Sequence, residues 1–201
     1  LAELEDSKIK ELLRRTKLTT KSRYRASERF AMHQKVSQWT VAFISAALIF
    51  IPLFQAYGVE LAVPNQLLNS FQSVLAVMVL VYSLLLGQEN FVSRSEAMHR
   101  NGVELGRFAR KLRGLQEADA DYDALVEEYY GILEKYENHK PVDYLFTRLH
   151  SKPDKWLKWP EYLWIWVRAH FFSWLGYSHY IAAIAFVAYL FYYLLSNIKL
   201  G

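Results

Sequence analysis

The sequence predicts an all-α integral membrane protein: a two-helix transmembrane hairpin, a cytoplasmic helical lobe and a third C-terminal membrane helix. Three observations carry this. Trp39–Tyr57 and Leu67–Leu86 hold no charged side chain, and at roughly 19–20 residues and ~1.5 Å per residue each matches the ~30 Å hydrocarbon core. Tyr180–Leu195 is a third uncharged run, slightly short unless it borrows Leu175–His179 or tilts less. Lipid cannot hydrogen-bond a bare backbone, so runs of this kind must be helices. A soluble core can hold an equally apolar helix, but two of them joined by the short Gly58–Gln66 break in a 201-residue chain favour the bilayer.

Bulk composition conceals the pattern. With 53% hydrophobic and 22% charged residues and a mean hydropathy near zero, polar and apolar blocks cancel. The absence of cysteine excludes disulfides, thiolate metal sites and cysteine nucleophiles, and fits a cytoplasm-facing lobe. The net charge of +4 matters less than where it lies.

Residues 1–38 form a basic N-terminal region, predicted to be helical. Lys8, Lys10, Arg14, Arg15, Lys17, Lys21, Arg23, Arg25, Arg29 and Lys35 outnumber Glu3, Glu5, Asp6, Glu11 and Glu28. Ile9, Leu12 and Leu13 give a weak apolar stripe, and Thr19 or Thr20 is a candidate cap for a second helix entering the membrane. The segment is too long for the n-region of a signal peptide. Its basic residues are read as a topology signal that keeps this side cytoplasmic, rather than as a nucleic-acid or headgroup site. No direct nucleic-acid binding is expected.

Residues 39–86 are the hairpin. The break carries Glu60 but no Lys or Arg, which places it outside, and Gly58 and Pro64 end helices there. In the second arm Asn69, Ser73, Ala76, Leu80, Ser83 and Gly87 recur at spacings of four and three, hence on one face. In the first arm Ala42, Ser45, Ala46, Ile49 and Pro52 share a small-residue side. Small residues let membrane helices approach closely, so the stripe is either a packing seam or, with Asn69, Ser73 and Ser83, the lining of a pathway. Neither arm holds an acidic or basic residue, which disfavours a proton-coupled pump or an embedded carboxylate enzyme. A conduit here would be neutral and weakly selective, and two or three helices enclose a water column only by oligomerising.

Residues 87–155 return to the cytoplasm as a helical lobe. The second helix is predicted to continue past Glu89, where Phe91, Met98, Leu105 and Leu112 repeat at heptad spacing beside Ser95, Gly102 and Ala109. Large residues facing small ones make a coiled-coil-like seam, a candidate for assembly between antiparallel helices or subunits. Gly114 ends it. Asp119, Asp121 and Asp123 suit a helix N-terminus, leading into a helix with Leu125, Tyr129, Ile132, Leu133 and Tyr136 on one face. Asn138-His139-Lys140 breaks that helix, and Pro141 opens a short one carrying Val142, Leu145, Phe146 and Leu149. Residues 156–201 combine an aromatic stretch, Trp156–Trp174, with the third membrane helix. Lys158, Pro160, Glu161, Arg168 and His170 interrupt the aromatics, a pattern better suited to the headgroup layer than to a span. Three spans would leave Lys199–Gly201 outside.

Catalytic and metal constellations are poor. Glu96 and His99 make a Glu-x-x-His pair, but a second such pair and further glutamates of a di-iron bundle are not evident, so the pair is assigned to the surface. His33, His139, His150, His170 and His179 follow no zinc spacing. Gly102-x-x-x-Gly106 is read as close packing, and Asp119, Asp121 and Asp123 lack the glycine and distal glutamate of a calcium loop. No catalytic residue, cofactor or metal is assigned.

The order of several short motifs resembles the SLATT-domain family. These are Arg23-Tyr24-Arg25-Ala26-Ser27-Glu28-Arg29-Phe30 and His33-Gln34-Lys35-Val36-Ser37-Gln38-Trp39-Thr40 before the hairpin. After it come Gln88-Glu89-Asn90-Phe91, Ala97-Met98-His99-Arg100-Asn101-Gly102, Tyr136-Glu137-Asn138-His139 and Asp143-Tyr144. The resemblance covers roughly residues 15–150. It implies a bacterial inner-membrane effector of anti-phage defence that perforates or depolarises the membrane as a homo-oligomer. The trigger would be a partner enzyme, such as a reverse transcriptase or nucleotide synthetase, or a nucleotide signal. The alternative is a membrane anchor or scaffold that recruits such a nucleic-acid or nucleotide-processing partner.

Overall fold

The computed structural model describes residues 2–59, 62–115, 121–151 and 159–198. Asp119, Glu60 and the start of the aromatic stretch at Trp156 lie outside them. Among the described residues the six elements are all helices: α1 (Ala2–Ala56), α2 (Asn65–Glu89), α3 (Phe91–Gly114), α4 (Tyr122–Glu134), α5 (Pro141–His150) and α6 (Trp159–Ser196). Three helical stretches, Lys8–Ala56, Asn65–Gly114 and Trp159–Ser196, are long and apolar enough to cross a membrane. The protein is an all-α membrane protein. Its chain forms two compact units, Leu1–Ala31 with Val92–Ser173 and Met32–Phe91 with Trp174–Gly201.

Helix α1 runs without interruption for 55 residues, about 80 Å. The expected capping by Thr19 or Thr20 does not occur. Their hydroxyls donate backwards to the carbonyls of Arg15 and Thr16, at 3.0 and 2.7 Å. A threonine that bonds one turn back satisfies itself without starting a new helix. Conversely, α2 does not continue smoothly past Glu89. Asn90 adopts the left-handed conformation, φ 47°, a geometry asparagine tolerates better than most residues, and it separates α2 from α3.

The unit containing Val92–Ser173 is the polar lobe. Leu12 of α1, Leu105, Phe108 and Leu112 of α3, and Leu125 and Tyr129 of α4 form its core. Gly114 ends α3 as expected, and the Asp121 carboxylate accepts from the N–H groups of Asp123 and Ala124, capping α4. On α5 the expected apolar face, Val142, Leu145, Phe146 and Leu149, is only half-buried, and the buried positions are polar: Asp143 and Thr147. Both find partners on α1. The Arg29 guanidinium donates to the two oxygens of Asp143 at 2.9 and 3.0 Å, and the Ser22 hydroxyl donates to Thr147 Oγ1 at 3.2 Å.

The other unit is a three-helix bundle. Ile44, Ala47 and Ile51 of α1, Leu68 and Leu75 of α2, and Ala183, Val187, Leu190 and Leu194 of α6 bury against one another. Gly58, at φ 67°, and Pro64, the N-cap of α2, bracket the turn. The Ala62 N–H donates to the Asn197 carbonyl at 2.8 Å, so the end of α6 meets the hairpin turn. Within this unit α6 runs parallel to α1, and the C-terminal end lies on the same side as the turn. Residues 159–196 form one unbroken helix, with Pro160 in its first turn where its missing N–H costs nothing.

Candidate functional site

The spacing-defined stripe on α2 is solvent-facing in the single chain. Asn69, Ser73, Ala76, Leu80, Ser83 and Gly87 are all exposed. The packing edge of α2 is a different one: Leu68 and Leu75 are buried, with Phe71, Met78, Val79 and Tyr82 half-buried around them. On the side towards α6 the Tyr82 hydroxyl donates to the His179 carbonyl at 3.0 Å. The stripe borders the opposite side, next to α1.

There α1 supplies polar groups of its own. Gln55 Nε2 donates to Asn69 Oδ1 at 3.5 Å, and Gln72 Nε2 donates to Gln55 Oε1 at 3.1 Å. The Ser73 hydroxyl donates to the Asn69 carbonyl at 3.0 Å. At the other end of the hairpin, Gln34, Gln38, Val41, Ala42, Ser83 and Gly87 line an open groove of about 460 Å³. A second open groove of about 410 Å³ includes Gln55, Gly58, Asn65 and Asn69. The stripe therefore runs from one α1–α2 groove to the other. In the sequence these glutamines are not assigned to the site, because Gln34, Gln38 and Gln55 share no single heptad spacing that would mark them as one edge of α1.

Between the ends of α2 the exposed surface beside the stripe is mostly apolar, Val74, Val77, Val81, Leu84 and Leu85, while Gln66, Ser70, Gln88 and Glu89 are exposed near its two ends. A helix bathed wholly in lipid gains nothing from serine and asparagine, which cost free energy in hydrocarbon unless paired or wetted. The polar edge is thus the part of the hairpin surface that lipid covers worst. It bears no ionisable side chain, and among the described residues no group of histidines and carboxylates could hold a metal ion.

The second predicted constellation, the heptad seam of α3, is closed within the chain. Met98, Leu105, Ala109 and Leu112 are buried. The Ser95 hydroxyl donates to the Ser27 carbonyl at 2.9 Å, and the Tyr24 ring lies 2.9 Å from where a Cβ on Gly102 would sit. Phe91 is buried and stacks on His33 at 5.4 Å. Gly106, by contrast, has open space in front of it. Glu96 pairs with Arg100 at 3.0 Å on the surface, and the His99 ring sits edge-on to Tyr24.

Of the motif residues that carry the family resemblance, Arg23–Phe30, Ala97–Gly102, Tyr136–His139 and Asp143-Tyr144 lie in this lobe, whereas His33–Thr40 and Gln88–Phe91 belong to the other unit. Arg23 is buried, donating to the Glu137 carbonyl and lying 3.6 Å from the Met98 sulfur. Burial pulls its pKa down from the usual guanidinium value. Asn101 donates to the Ile132 carbonyl at 3.0 Å. Arg94 holds the Glu137 carboxylate through two bonds, at 2.9 and 3.0 Å, and its guanidinium lies over the Phe30 ring. Burial, helped by the nearby Arg23 charge, pushes the His139 pKa below 6.5. At the periphery Arg14 and Arg15 hold the Glu11 carboxyl down to about 2.

An uncharged helical hairpin joined to an ion-paired helical lobe defines the architecture of an all-α membrane protein. The chain belongs to the SMODS and SLOG-associating 2TM effector domain family 5, which it matches over residues 5–194. The match extends well beyond residues 15–150 and takes in most of α6, so the third long apolar helix lies inside the family region although the family is described by two spans. No curated protein and no solved structure matches the chain.

Proposed function

We propose that this chain is an oligomeric effector that perforates or depolarises the bacterial inner membrane, with its lobe on the cytoplasmic side. The observation that carries the proposal is the exposed polar edge of the hairpin. Asn69, Ser73 and Ser83 stand uncovered in one chain, and copies arranged around an axis would turn that edge towards one another or towards enclosed water. The orientation is supported by charge. Lys and Arg crowd the N-terminal side, whereas Gly58–Gln66 has none. The family's description associates it with SMODS and SLOG partners, and a nucleotide synthetase or reverse transcriptase of a defence system is the kind of enzyme that would supply the trigger. Such a conduit selects weakly, because no ionisable group lines it.

Dye release from phospholipid vesicles tests this. The purified chain is expected to empty them, and Ser73→Phe and Ser83→Phe are expected to suppress release while Val81→Phe, on the apolar side, leaves it intact. Equal release by all four proteins would remove the assignment of the polar edge.

A further inference from the structure

The lobe's share of α6, Trp159–Ser173, carries an apolar surface that the chain leaves uncovered. Along it only Ile165 and Ala169 are buried. At about 100° per residue, the exposed rings fall in two rows flanking that buried line. Trp159 and Trp166, seven residues apart, lie roughly 90° to one side, and Trp164 and Phe171, also seven apart, lie roughly 130° to the other. Leu163 and Val167 point outward between the rows, and these six side chains are 44–76% exposed. With about 150–250 Å² per aromatic side chain, they leave roughly 500–750 Å² of apolar surface in water. That is at or above the largest patch of an ordinary monomer, about 300–600 Å², and approaches the ~800 Å² a subunit gives to a stable interface.

We propose that the two rows are subunit contacts, the Trp159/Trp166 row of one copy packing against the Trp164/Phe171 row of the next. This rests on the oligomeric reading above and names the surface of the lobe that the copies share. The arrangement of the rings selects the occupant. One foreign helix covers a stripe of roughly 100°, which would bury one row and leave the other in water. Copies around a rotation axis meet head to tail, and a contact of that kind needs two different faces on every subunit. This helix has both. Lipid is the less apt cover, because Glu161 and Arg168 are exposed on the same stretch, and the lobe around it carries surface ion pairs such as Glu96–Arg100 and Lys111–Glu128. The composition agrees: tryptophan, phenylalanine and arginine are enriched where proteins meet, and Arg168 lies over the Trp164 ring at 5.8 Å.

Because the chain has no cysteine, single thiols test the pairing. His170→Cys stands in the Trp166 row and Phe171→Cys in the Trp164 row. Full-length chains carrying one or the other, with different tags, are produced together in native membranes and treated with a short bis-maleimide. A cross-linked species bearing both tags is expected, several-fold stronger than that from either variant alone or from His170→Cys with Glu127→Cys on α4. A mixed product no stronger than the Glu127 control overturns the proposal. If Ser73→Cys chains cross-link in the same membranes, the oligomeric reading survives and this surface of α6 is not its contact; if they do not, both fall. Strong dimers from Phe171→Cys alone, with no mixed product, also overturn it, because like rows would then meet in an isologous pair. So does capture at Phe171→Cys of a photoreactive phospholipid or of a different protein in place of the tagged chain. As a second variant, Trp164→Gln with Trp166→Gln changes only exposed side chains and is expected to cut the mixed product several-fold without altering α5 amide exchange; an undiminished product overturns the role of the rings.

Discussion

Neutralising Asp143 is expected to loosen the lobe by about 2–3 kcal/mol. The carboxylate side chain is 3% exposed and its partner Arg29 14%, and three N–H groups converge on it: two from Arg29 and that of Lys140 at 2.9 Å. Removing one member of a buried pair costs about 3–5 kcal/mol. Asp143→Asn falls below that range, because the amide oxygen still accepts one bond and Arg29 keeps some access to water and its place over the Phe30 ring, 4.3 Å away. Native-state hydrogen exchange of the full chain in lipid nanodiscs reads the loss directly. At 1.4 kcal/mol per tenfold, α5 amides are expected to exchange roughly 30- to 140-fold faster. Glu96→Gln, which breaks a pair exposed at 59% and 70%, is expected to change exchange by only about twofold. An apolar pair, Arg29→Met with Asp143→Leu, is expected to recover much of the protection, since both charges then leave the interior together. If Asp143→Asn accelerates exchange no more than Glu96→Gln, the buried pair is not holding α5 to α1.

Three further outcomes follow from the same geometry. Gly102→Leu is expected to cost about 1–3 kcal/mol by overpacking against Tyr24, with thermal unfolding recovering when Tyr24→Ala is added; a Leu variant as stable as the parent contradicts the contact. Asn90→Val is expected to cost about 1–2 kcal/mol, because a β-branched residue resists positive φ, whereas Asn90→Gly is tolerated; identical melting of the two variants rejects the left-handed hinge. For His139, whose folded pKa lies below 6.5, the unfolded chain binds the proton more readily, so its contribution is intact above pH 6.5 and is lost as pH falls from there through the folded value. His139→Gln is expected to flatten the acid dependence of α4 and α5 exchange, and an unchanged slope refutes the assignment.

What could be read in advance was whatever depends on short-range chemistry. The uncharged arms, the Gly58 and Pro64 punctuation, the end of α3 at Gly114 and the Asp121 cap are all local. What escaped depends on partners distant in sequence. Thr19 and Thr20 look like caps until their hydroxyls are seen bonding one turn back. Asp143 and Thr147 are buried because Arg29 and Ser22 reach them from more than a hundred residues away, which no local pattern on α5 shows. The heptad seam of α3 announces close packing but not with whom, and the chain itself supplies α1 and α4. The α2 stripe was visible from its spacing, because period alone defines a helix face. Its α1 border of Gln34, Gln38 and Gln55 was not, since it takes the hairpin's register to bring those amides alongside.

Disulfide trapping in native membranes addresses the central claim most directly, in a background free of competing thiols. Single Ser73→Cys and Ser83→Cys chains are expected to form cross-linked dimers under mild oxidation, while Leu85→Cys, on the apolar side of the same helix, stays monomeric. Cross-linking through Leu85 with none through Ser73 or Ser83 would mean that copies meet on another face, and that the polar edge does not assemble them.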